Sequence, residues 1–95
     1  MSSQRLRILL NKLDEKLDQY MSMKARGIAL SDLNKEIADI LREINREMPP
    51  EYREQEIAII GGPHQGVVKV RELPELVEKG DERALKVLEA LYLGR

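Results

Sequence analysis

The sequence predicts a small α+β domain with an N-terminal antiparallel helical hairpin, a central β-hairpin and two short C-terminal helices, in the order α-α-β-β-α-α. Three observations carry that expectation. Aliphatic residues recur at helical spacing between residues 6 and 48, two β-rich runs flank a glycine-rich tip between 56 and 71, and helical spacing returns from 74 to 93. Ninety-five residues place all of this in one domain, 1–95, because chains this short rarely divide into two separately cored units.

In the first segment Leu6, Leu10, Leu13, Leu17 and Tyr20 lie four, three, four and three residues apart, a heptad-like seam, and Leu9 and Met21 widen it. The expected helix runs from about Gln4 to Arg26, ended by Gly27 as a left-handed cap with Lys24 and Arg26 at its negative end. Ser31 then reads as the N-cap of a second helix whose face is Leu33, Ile37, Ile40, Leu41, Ile44 and Met48. The short link makes the two helices antiparallel neighbours, with Ile28 and Leu30 tucked beneath them. Pro49-Pro50 ends the second helix, since neither residue has an N–H. Glu51 to Gln55 has room for one further helical turn.

Ile57-Ala58-Ile59-Ile60 and Val67-Val68-Lys69-Val70 read as strands of a hairpin. A two-stranded hairpin is marginal alone, so it must lie on the helices or pair with another chain. Pro74 to Lys79, closed by Gly80, and Glu82 to Leu93, capped by Asp81 and closed by Gly94, complete the set. Leu85, Leu88 and Leu91 or Tyr92 supply the face of the last helix, with Glu82 and Lys86 as an i,i+4 pair.

Composition narrows the function classes. There is no cysteine, so disulfides, thiolate chemistry and zinc–thiolate sites are excluded. His64 is the only histidine, there is no threonine, and the few serines stand in no nucleophile–base pattern, so neither an enzyme nor a metal or other cofactor is expected. Glu36, Asp39, Glu43 and Glu47 read as a solvated helix face. The opening Ile8-Leu9-Leu10 run is too short for a signal peptide or a membrane span, which makes the cytoplasm the expected location.

The net charge is −1, unevenly spread: residues 1–30 carry six cationic against three anionic side chains, and residues 31–95 carry ten against fourteen. Duplex DNA is therefore not the favoured partner. Helices followed by a Gly-tipped hairpin nevertheless resemble the outline of a winged helix-turn-helix, which implies a nucleic-acid-binding regulator as an alternative. Arg5, Arg7, Lys12, Lys16, Lys69 and Arg71 are its candidate contacts. The slot of a recognition helix holds Pro49-Pro50 and then Glu51, Glu54 and Glu56 against Arg53, a segment that phosphates repel.

A third candidate is the loop Gly61, Gly62, Pro63, His64, Gln65 and Gly66, where backbone N–H groups beside the histidine form a potential anion or small-ligand sensor. Its spacing matches no phosphate loop or dinucleotide fingerprint. The main expectation is a small non-enzymatic adaptor or regulatory protein that self-associates and binds a protein partner. Leu6, Leu9, Leu10, Leu13, Leu17 and Tyr20 form the expected interface, because this stripe is wider than one neighbouring helix can cover.

Overall fold

A computed structural model of the chain describes residues 3–60 and 66–94. The elements are α1 (Ser3–Ala25), α2 (Ser31–Glu47), a one-turn α3 (Pro50–Arg53), β1 (Glu56–Ile59), β2 (Gly66–Lys69), a 3₁₀ turn (Val70–Glu72), α4 (Leu73–Glu78) and α5 (Glu82–Leu88), which widens into a π turn (Glu89–Leu93). The predicted α+β layout and its order hold, and the further helical turn after the prolines forms as α3, one residue earlier than expected.

Helix α1 closes as its sequence dictates. Gly27 takes φ 71°, its N–H donates to the Lys24 carbonyl, and the Ile28 N–H donates to the Met23 carbonyl. These paired bonds satisfy carbonyls the helix cannot reach itself. The far side of the link departs from expectation. Leu30, not Ser31, occupies the cap of α2, no side chain bonds the first turn, and the Leu30 carbonyl accepts the Asn34 N–H at 2.8 Å. Ile28 is exposed rather than tucked beneath the pair, because the turn at Gly27 swings it outward; only Leu30 packs on the core.

Helix α2 is the axis of the fold, since both α1 and α4 pack on it. Leu33, Ile37, Ile40 and Ile44 form the aliphatic stripe, and each carries about 1.5–3 kcal/mol of burial relative to solvent exposure. A second flank, Asn34, Ala38, Leu41 and Asn45, is also buried. It is covered from the C-terminal side: an ideal Cβ on Gly80 comes within 3.8 Å of the Asn34 amide nitrogen, Arg42 pairs with Glu78, and Tyr92 bonds Asn45.

The strands pair antiparallel, with Ile57 opposite Val68 and Ala58 opposite Val67. Ile57 and Val68 pack against the core while Val67 turns outward. Val70 does not extend β2 as its β-branched side chain suggests. The Glu72 carboxylate accepts the Lys69 N–H at 3.1 Å and turns the chain into the 3₁₀ segment, which leaves Val70 fully buried. Asp81 caps α5 as expected, accepting the Arg83 N–H at 2.9 Å. Among the described residues no helix is long and apolar enough to cross a membrane.

Candidate functional site

The α1 stripe nominated as an interface is closed within the chain. Leu9, Leu13, Leu17 and Tyr20 are buried, and Leu6 and Leu10 are half-buried against the same core. The extra breadth has an internal partner. Leu17 and Tyr20 meet Leu85 across a narrow groove at whose rim Met21 stays 60% exposed, and Lys24 bridges to Glu82 at 2.8 Å. Glu82 therefore reaches across to α1 instead of along its own helix to Lys86. That bond holds its carboxyl below, and the Lys24 ammonium above, their ordinary ranges. Helix α1 has α2 on one side and α5 on the other, so its seam is not a free surface.

Of the acids of α2, Glu36 and Asp39 are exposed as expected and Glu43 and Glu47 are half-buried, and all four are paired. Arg5 pairs with Glu47 at 2.7 Å and Glu43 at 3.7 Å, Lys16 pairs with Glu36, and Arg42 with Asp39. Antiparallel packing brings the basic flank of α1 against the acidic flank of α2. Of the six cations nominated for nucleic acid, Arg5 and Lys16 are thereby engaged, and Lys69 and Arg71 both bond Glu54. Their pull, led by the Lys69 hydrogen bond, holds the Glu54 carboxyl below the usual carboxylate range. Arg7 and Lys12 are exposed on α1. Gly61, Gly62, Pro63, His64 and Gln65 lie outside the described residues; Gly66 opens β2 at φ 146°.

Two surfaces emerge that single-residue reasoning did not assemble. The first is an open apolar depression of about 390 Å³ where Ile57 of β1 meets Val87, Ala90 and Leu91 of the last helix. It adjoins a sheet that has two strands among the described residues, and the outward Val67 is 63% exposed. The spacing of Val87, Ala90 and Leu91 at i, i+3 and i+4 was a readable sign of a second apolar flank on α5.

The second is a cleft of about 620 Å³ between α2, α3 and the start of α4, lined by Arg42, Asn45, Arg46, Arg53 and Arg71. Glu72, Pro74 and Glu75 complete its wall. Glu78 grips Arg42 through both guanidinium nitrogens, at 3.3 and 3.4 Å, and this contact raises the guanidinium pKa further. Behind the cleft, the half-buried Tyr92 hydroxyl donates to Asn45 Oδ1 at 3.3 Å. Desolvation, reinforced by Tyr52, pushes that phenol up to about 12. In sequence only Arg42 and Arg46, one helical turn apart, signalled this grouping; Arg53 and Arg71 arrive from other elements.

Among the described residues no group of three or more His, Asp or Glu side chains is placed to hold a metal ion. Asn34 Oδ1 and Asp81 Oδ2 are buried without a hydrogen-bond partner among the described residues. Compared with models of known protein families, with curated proteins and with solved structures, the chain finds no match.

Proposed function

We propose that the chain acts without chemistry, as a self-associating adaptor or regulatory module, and that the surface it uses is the hairpin with the adjoining flank of the last helix. The observation behind this reading is the open apolar depression of Ile57, Val87, Ala90 and Leu91 beside strands that have no third neighbour among the described residues. Unpaired edges invite further strand pairing, and exposed apolar area beside them supplies the hydrophobic drive.

A second copy suits this surface. Two β2 strands meeting antiparallel about a two-fold axis at Val67 set Val67 opposite its own copy and Gly66 opposite Val68, a register that keeps each side chain on its own face and sets no like charges opposite one another in the strand. With Arg5 and Lys16 drawn into pairs with α2, the basic residues of α1 give correspondingly less support to a nucleic-acid role.

Sedimentation equilibrium over a wide dilution series tests the reading. A concentration-dependent dimer is expected, weakened about tenfold or more by Ala90→Glu or Val67→Lys, both at exposed positions. A strict monomer at high concentration, or a dimer indifferent to both substitutions, overturns it.

A further inference from the structure

Four guanidinium groups, two from α2, one from α3 and one from the 3₁₀ turn, line the cleft between α2, α3 and α4, and they are not equivalent. Arg42 is anchored by Glu78 and Asp39, and Arg71 by Glu54. Among the described residues neither Arg46 nor Arg53 takes part in an ion pair. Two fixed cations therefore frame two whose planar donor forks are uncommitted, an arrangement suited to a compact oxyanion. Asn45 adds a neutral donor, because the Tyr92 hydroxyl occupies its carbonyl oxygen and leaves the amide nitrogen to donate.

The surroundings select the size of the anion. Glu72 and Glu75 stand in the wall, and Glu54 and Glu78 back the anchored arginines. A duplex lays a row of phosphates across such a surface and meets these carboxylates, at a cost in affinity. A single dianion entering the centre meets the guanidiniums instead. Arginine rather than lysine at all four positions favours bidentate recognition over a diffuse field.

We propose that this cleft is a binding site for a phosphomonoester dianion, carried on a peptide side chain or on a small phosphate ester, with Arg46 and Arg53 as its direct ligands. Nothing in this assignment depends on self-association.

Nuclear magnetic resonance titration of the full chain tests it, following the arginine Nε–Hε signals and the backbone amides of residues 42–53 and 71–75. The probes are inorganic phosphate, a phosphoserine peptide with its unphosphorylated twin, and a short DNA duplex. The phosphopeptide is expected to shift the Arg46 and Arg53 signals and to bind about tenfold or more tightly than its twin. Arg46→Gln/Arg53→Gln should weaken it by a further factor of about ten or more, while Arg26→Gln/Arg83→Gln, an equal charge change elsewhere, should leave it within about twofold. Comparable binding of inorganic phosphate at the same signals assigns the site to small phosphates; markedly tighter peptide binding assigns it to a modified protein segment. The wild-type shifts report contact even where a variant fails to fold. No phosphate-dependent shift, equal binding of both peptides, tighter binding of duplex than of phosphopeptide, or an unaffected double variant overturns the proposal.

Discussion

Truncating Leu88 to alanine tests whether the C-terminal segment belongs to the core. Leu88 is fully buried, in the same cluster as Leu13, Ile37 and Ile44, so its truncation removes well-packed methyl groups and leaves a cavity that helix packing can only partly close. The expected loss is about 3 kcal/mol, within the range for leucine truncations in packed cores. A domain of this size has roughly 5–14 kcal/mol in total, so the loss is a large share of its stability. It corresponds to a fall of about 12–24 °C in Tm. Urea denaturation followed by circular dichroism measures it directly, with Leu13→Ala as the reference for an undisputed core position. If Leu88→Ala costs under about 1 kcal/mol while Leu13→Ala costs several, the last helix does not close the flank of α1, and that flank is open after all.

Two further outcomes follow from single groups. The Tyr92 phenol titrates near 12 when folded against an ordinary value near 10, so the unfolded chain loses its proton first. Its contribution is fully present below pH 10 and is lost as pH rises through about 12, on the order of 2 kcal/mol; Tyr92→Phe should flatten that alkaline slope in urea melts collected at successive pH values. At Gly27, where φ is 71° and a Cβ meets nothing within 4 Å, the strain is conformational only. Gly27→Ala should cost about 1 kcal/mol and Gly27→Asn less, since asparagine tolerates the left-handed region; equal thermal melts for wild type and Gly27→Ala would remove the cap from the account.

Much of this architecture was legible because local chemistry and global packing agree. Leu13, Leu17, Ile37 and Ile44 announce helices by spacing, Pro49-Pro50 and Gly27 end them, and Asp81 caps one; each act is local and survives folding unchanged. Where the reading failed, a residue's role was decided by something distant in sequence. Val70 looks like a strand residue until Glu72 claims the Lys69 amide. Glu82 looks committed to Lys86 until antiparallel packing offers Lys24. Asn34 and Asn45 stand outside the aliphatic stripe read from the spacing, yet both are buried beneath the C-terminal segment. The arginine cleft was illegible for the same reason: three of its elements meet only once α4 docks, and no periodicity links residue 46 to residues 53 and 71.

The two flanks of α2 also differ in when they are covered. Its aliphatic stripe meets α1, the preceding helix, whereas Asn34, Ala38, Leu41 and Asn45 wait for residues more than thirty positions onward. Local contacts carry the lower loop-closure cost, so any species in which α1 and α2 have paired ahead of the C-terminal helices would leave that second flank bare. Such a bare flank is a hazard when it is rich in leucine, because transiently exposed apolar surface drives aggregation. Here Leu41 stands between two asparagines and an alanine, so the half-made protein exposes one leucine where a leucine-rich flank would expose a continuous apolar strip.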